Sequence, residues 1–191
     1  LDVVIQASAT GYYGSRTEAA LTEDTAVGTG FLAEVTYKWE KAAAGLEEVT
    51  KRLVRIRSGV VLSDMGGALP KMALPFKLMA GGRMGSGKQW ISWIDLDDEI
   101  EAILFLLHNN QCAGVYNLVS PNPVMQQDFA KTLGKVLHRP AIMPTPAFVV
   151  RLALGEMGDE LLLKGAKVVP QRLIDEGFQF QFAALEQSLS D

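Results

Sequence analysis

Tyr37 and Lys41 stand four residues apart in a stretch of helical periodicity, which brings a phenol and an ammonium onto one helix face, a turn apart. Upstream, Val3-Val4-Ile5-Gln6-Ala7-Ser8-Ala9-Thr10-Gly11-Tyr12-Tyr13-Gly14 reads as a buried strand running into a small-residue turn, so the hydroxyls of Ser8 and Thr10 fall at a strand end. Together these groups could move a proton at a carbinol or carbonyl oxygen. Tyr37 would act as acid and base, Lys41 would lower its pKa, and Ser8 or Thr10 would orient the oxygen. Bringing a phenol from a pKa of about 10 to about 7 needs on the order of 4 kcal/mol. One cation at an exposed site supplies about 1 kcal/mol or less, so a bound positive ring would have to add the rest. The plain alternative is a solvated helix pair with no chemistry, and spacing alone favours it.

The elements that would hold these groups follow from hydrophobic pattern. Residues 3 to 7 are nearly all apolar, as in a strand buried on both faces of a parallel sheet. Arg16 to Thr25 is polar and aperiodic, which predicts a surface loop. From about Gly30 to Val49, Phe31, Val35, Trp39, Ala42 or Ala43 and Leu46 recur at three- and four-residue steps and predict an amphipathic helix. Val54 to Leu62 is rich in β-branched residues and predicts the next strand. Strand, helix, strand is a βαβ unit with a parallel pair. Beyond Leu62 the texture changes to short pieces: a helix near Leu69–Met79, a strand at Trp90–Leu96, a helix at Asp97–Leu107, a strand at Val115–Val119 and a helix at Met125–Leu137. Pro140, Pro144 and Pro146 precede a last α-rich segment. The predicted division is residues 1–65, 66–145 and 146–191.

Two glycine motifs are weaker than their letters. Gly28-Thr29-Gly30-Phe31-Leu32-Ala33 spells a dinucleotide fingerprint, but an acidic loop precedes it instead of the buried strand such glycines need, so it predicts only a helix start. Gly82 to Lys88 spells most of a phosphate loop, yet Gln89 stands where Ser or Thr would hold magnesium and a strand follows. Its backbone amides could still meet an anionic substrate. Asp95, Asp97, Asp98, Glu99 and Glu101 gather at a predicted helix start, where capping explains them better than a metal. His108, His138 and Cys112 lack partners at ligand spacing. No metal site is expected.

With 48% hydrophobic residues and a net charge of −4, the chain reads as a globular domain, and no basic face points to nucleic acid or an anionic membrane. Its apolar runs fall short of the roughly 20 residues that span a bilayer. One cysteine excludes an internal disulfide and fits a reducing cytoplasm. The expected partner is a small molecule.

The ordered segments resemble the extended short-chain dehydrogenase/reductases, in particular the atypical branch called the epimerase family, similar to bacterial nucleoside-diphosphate-sugar epimerase-like proteins. The most specific pieces are Ser8 to Gly14, Trp39-Glu40, Arg57 to Leu62, Gly66 to Leu69, Gly85 to Asp95 and Pro121-Asn122-Pro123. The tail from about Pro146, with Leu161-Leu162-Leu163, Pro170 to Leu173 and Gly177-Phe178, looks like the small C-terminal domain of that branch. The resemblance implies an α/β fold, the C-terminal part of a Rossmann-type parallel sheet followed by a smaller mixed α+β substrate region. It places the glycine-rich turn before Leu1, so residues 1–191 alone are expected to bind dinucleotides poorly. It implies NADP(H) or NAD(H), with Ala7, Ser8, Gly59 and Val60 near the ribose and nicotinamide. It places Gly85, Ser86, Gly87, Lys88, Gln89 and Trp93 beside the substrate.

Departures from the family pattern are as informative. Ile91 stands two residues before Trp93 where an arginine grips diphosphate, and Asp95 replaces a histidine. With Trp39-Glu40 as the anchor, Thr36 and Glu40 take the tyrosine and lysine positions. Two functions therefore stay open: an oxidoreductase or epimerase-like enzyme on a small or sugar-like hydroxyl or carbonyl substrate, and a non-catalytic NADP(H)-sensing protein.

Overall fold

The computed structural model describes residues 1–158 and 162–190. Strand β1 (Val4–Ala9) runs through a 3₁₀ turn at Thr10–Tyr13 into β2 (Arg16–Leu21), and helix α1 (Phe31–Ala42) leads to β3 (Leu53–Ser58). After one glycine come β4 (Val60–Leu62), α2 (Ala68–Lys77), β5 (Trp90–Ile91), β6 (Trp93–Asp95) and α3 (Leu96–His108). β7 (Gly114–Leu118), β8 (Val124–Met125) and α4 (Gln126–Val136) follow. The last part holds α5 (Ala147–Gly158), β9 (Ala166–Val168), α6 (Gln171–Asp175) and α7 (Leu185–Ser190).

The centre is a parallel sheet in the order β1, β3, β7, in register Ser8 with Arg57 and Arg57 with Asn117. The β1–β3 pair is the parallel pair that the βαβ pattern predicts, and the sheet is of the Rossmann type that the resemblance implies. Because side chains alternate along a strand, Gln6, Ser8, Arg55, Arg57 and Asn117 share one face. The other face carries Val54, Ile56, Tyr116 and Leu118, which are buried together with Ile94, Ala102 and Leu106 of the flanking segments. Helix α3 starts where it does because the Asp95 carboxylate accepts from Asp97 N (2.9 Å), and its first turn holds Asp97, Asp98 and Glu99.

Helix α1 is present, but not on the face its apolar residues suggest. Ala33, Thr36 and Glu40 are buried, whereas Phe31, Val35 and Trp39 are 68%, 42% and 51% exposed. The inward face is fixed by polar partners on the sheet. The segment from Arg16 is not a loop through to Thr25: β2 pairs in parallel with β9, a strand far away in sequence that no local pattern reveals.

The stretch Val54–Leu62 is two strands. Gly59 N donates to Leu118 O, but Val60 N donates to Ser92 O, so the chain changes partner there from β7 to β6. A β-carbon on Gly59 would sit 2.3 Å from Ser92 O, so only glycine allows the crossing.

The C-terminal segment is tied back by side chains. Ser188 Oγ donates to Asp95 Oδ2 (2.6 Å), and the Asp98 carboxylate accepts from Gln181 N (2.8 Å) and Phe182 N (3.0 Å). Leu161, grouped with Leu162 and Leu163 by the resemblance, lies outside the described residues.

Candidate functional site

At the C-terminal end of the sheet, the aligned residues Ser8, Arg57 and Asn117 begin a buried polar cluster. Glu40 reaches down from α1 to meet them. Ser8 Oγ donates to Glu40 Oε1 (2.7 Å), Arg57 Nε donates to the same oxygen (2.8 Å), and Arg57 Nη2 donates to Glu40 Oε2 (2.9 Å). This two-pronged contact is the strong form of an arginine–carboxylate pair. Arg57 Nη1 donates to Tyr13 Oη (2.9 Å), which donates in turn to Asn117 Oδ1 (2.7 Å). The Arg57 guanidinium sits over the Tyr12 ring, Cζ 3.3 Å from its centroid.

Burial pushes the Glu40 carboxyl up, but the hydrogen bonds from Arg57 and Ser8 and the guanidinium charge outweigh it, holding Glu40 below the usual carboxylate range. Burial also works against the charge on Arg57, and Glu40 and Tyr13 more than offset it. The Tyr13 phenol is raised by burial and stays protonated, consistent with its donation to Asn117.

The structure brings Ser8 to Glu40 and does not bring Tyr37 or Lys41 to Ser8. Tyr37 is 40% exposed on the outer side of α1, and Lys41 Nζ lies 5.6 Å above its ring centroid in solvent. The reason is helix phase: one residue turns a helix by about 100°, and Thr36 and Glu40 take the inward positions. Thr36 is occupied locally, donating from Oγ1 to Leu32 O (2.7 Å). Thr10 opens the 3₁₀ turn, half-buried, and its hydroxyl has no hydrogen bond among the described residues.

Among the residues expected near a cofactor, Ala7 is exposed and Ser8 is buried, while Gly59 and Val60 are half-buried at the strand crossing. The loop from Gly85 to Gln89 divides. Ser86 and Lys88 are exposed, but the Gln89 carboxamide is buried and donates to Met84 O (3.1 Å) and Leu162 O (2.8 Å). Trp93 needs correcting: it is fully buried in the core with Phe129 and Leu133, its indole N–H donating to Asn122 O (3.1 Å), so it presents no surface to a substrate. Gly28 serves chain packing, since a β-carbon there would lie 2.0 Å from Tyr13 O.

Sequence reasoning did not single out Arg57 as a site residue, nor Tyr13 and Asn117. The available signal was the pair of arginines, Arg55 and Arg57, inside a run rich in β-branched residues. Among the described residues, no group of three or more His, Cys, Asp or Glu could hold a metal ion, and no helix is long and apolar enough to cross a membrane.

On the opposite face of the sheet, Ser58 Oγ donates to Glu99 Oε1 (2.6 Å), while Glu99 Oε2 is buried without a hydrogen-bond partner. Burial raises the Glu99 carboxyl, and the Ser58 bond only partly opposes it. A carboxyl raised on folding contributes stability that is complete below its unfolded value, about 4.5, and is lost as pH climbs through the folded value. Thermal unfolding of wild type and Glu99→Gln between pH 4 and 8 should therefore show wild type losing ground to the variant as pH rises from about 4.5. A gap between the two that does not change with pH would contradict this.

The fold and this site together define a Rossmann-type α/β protein whose strand-end cluster holds a buried glutamate–arginine pair, Glu40 with Arg57. Over nearly its whole length the chain is similar to proteins of the epimerase-like, atypical branch of the extended short-chain dehydrogenase/reductases. Residues 145–191 match a domain of unknown function, DUF1731. Over 188 residues the chain is 42% identical to the epimerase family protein YfhF of Bacillus subtilis, covering 98% of this chain and 61% of that protein. It is 41% identical over 190 residues to the epimerase family protein MW0731 of Staphylococcus aureus, covering 99% and 63%. The crystal structure of human epimerase family protein SDR39U1 (isoform 2) with NADPH superposes with a TM-score of 0.93 at 36% identity, over 99% of this chain and 64% of that one. A nucleoside-diphosphate sugar epimerase from Corynebacterium glutamicum gives 0.82 at 32% identity, over 98% of this chain and 36% of that one. The chain thus spans about three fifths of the curated relatives it matches, 61% of the first.

Proposed function

We propose that the full-length protein binds a nicotinamide dinucleotide, NADP(H) or NAD(H), with the nicotinamide half near Ala7, Ser8, Gly59 and Val60. We further propose that it acts as a dinucleotide-binding protein without a serine–tyrosine–lysine proton-transfer site. The observation that carries the second part is Glu40, buried and ion-paired to Arg57 at the inward helix position, with Tyr37 turned out to solvent. A carboxylate cannot favour a phenolate as an ammonium does. The first part is supported by the human relative seen with NADPH. It is also supported by Ala7, small and exposed near the C-terminal end of β1. Such a cofactor, when bound, supplies a hydride carrier.

An enzymatic reading, as an oxidoreductase or epimerase on a small or sugar-like hydroxyl or carbonyl substrate, needs another proton donor. Thr10, with its unbonded hydroxyl at the strand end, is the group that keeps this second reading in play.

Calorimetric titration of the full-length protein with NADPH tests the proposal, joined to an NADPH-oxidation assay over a panel of ketones and keto-sugars. Binding is expected, unchanged within about twofold by Tyr37→Phe or Lys41→Ala, because both lie outside the cluster. No oxidation is expected. Absence of NADPH binding would overturn the first part, and a turnover abolished by Tyr37→Phe would overturn the second.

A further inference from the structure

The hydroxyl protons of the cluster already have acceptors. Tyr13 gives its proton to Asn117 Oδ1, Thr36 to Leu32 O, and Ser8 to Glu40 Oε1. The direction of the last bond is fixed, because an ionised carboxylate only accepts and Arg57 holds both oxygens of Glu40 with two N–H donors. Towards any ligand, Ser8 is therefore left with lone pairs alone. It can accept a hydrogen bond and cannot give one. A carbonyl oxygen placed against it would meet acceptor with acceptor in a nearly dry site, where unmatched polar groups are most costly.

We propose that Ser8 is a binding residue that takes an N–H from the carboxamide of a bound nicotinamide ring, with Glu40 fixing its polarity. The inference rests on the dinucleotide-binding reading above. The carboxamide is the group on that half of the molecule whose nitrogen can only donate. The ribose hydroxyls can turn either way, so an acceptor-only serine does not discriminate among their orientations. The arrangement inverts the expected role, in which the strand-end hydroxyl donates to a substrate oxygen.

The test compares NADPH with its reduced 3-acetylpyridine analogue, in which a methyl replaces the amide nitrogen, by calorimetry on the full-length protein. Wild type should bind NADPH about 5- to 15-fold more tightly than the analogue. In Ser8→Ala the ratio should fall below about twofold, with the analogue's own affinity unchanged. Glu40→Gln gives an independent check: its amide can donate to Ser8 and free that hydroxyl to donate outward, so the ratio should fall again. Equal binding of both compounds by wild type would overturn the role of Ser8 while leaving dinucleotide binding intact, and this comparison needs no variant to fold. A ratio retained in Ser8→Ala would also overturn it. Binding of neither compound would instead remove the reading on which it rests.

Discussion

Arg57→Ala should cost the protein about 3–5 kcal/mol of stability, or unfold it outright. The guanidinium side chain is 4% exposed and the Glu40 side chain 10%, so each charge depends on the other for the solvation that water would give. Removing Arg57 leaves a buried carboxylate with Ser8 alone as donor, and it strips Tyr13 Oη of the donor it accepts from and Tyr12 of the cation beneath its ring. Glu40→Ala is expected to be nearly as damaging, since it leaves a buried cation with one phenol oxygen. The pair Glu40→Leu with Arg57→Met removes both charges at similar volume and should recover most of the loss. Urea unfolding followed by circular dichroism measures all four proteins. A loss under about 1 kcal/mol for either single substitution would show that water reaches the pair and that the cluster is not an organising unit.

Gly59→Ala is the second large effect, expected at about 3 kcal/mol or more. The added methyl would meet Ser92 O at 2.3 Å and the Val119 side chain at 2.8 Å, and the first of these is backbone that cannot swing aside. Relief requires β4 to part from β6, which breaks the Val60 N to Ser92 O bond. Gly66→Ala is the control, because a β-carbon there meets nothing within 4 Å. It should be neutral or slightly stabilising, by up to about 1 kcal/mol, through the unfolded chain. Equal melting temperatures for the two variants would refute the crossing as a steric constraint.

The parts of this fold that were legible in the sequence are those set by local pattern. The β-branched run at Val54, the acid-capped helix after Asp95 and the strand at Val115 all fall within a residue or two of expectation. What stayed hidden depends on partners distant in the chain. The strand from Arg16 to Leu21 exists because Ala166–Val168 lies beside it. Gly59 divides one apparent strand into two because Ser92 passes against it. The inward face of α1 was misread for a related reason: periodicity finds the apolar stripe Phe31, Val35, Trp39, but the sheet offers Ser8 and Arg57, which select Glu40. The candidate site was half visible. Ser8 and Thr10 could be picked out as hydroxyls at a strand end, and the anchoring of Trp39-Glu40 pointed to Thr36 and Glu40. Arg57, Tyr13 and Asn117 are brought together only by the register of three strands.

The junction of β2 with β9 also bears on biosynthesis. Arg16 pairs with Ala166, and Asn117 binds Val169 O, so the early part of the molecule waits for residues made some 50 to 150 positions later. On a ribosome adding roughly 5–20 residues per second, the wait of β2 for β9 is an interval of roughly 8–30 seconds in which an unpaired strand edge is open to other nascent chains. Such distant closures make for slow folding. Newly made copies of this chain are thus most exposed to mispairing before Ala166–Val168 emerge, a window in which holding chaperones would act.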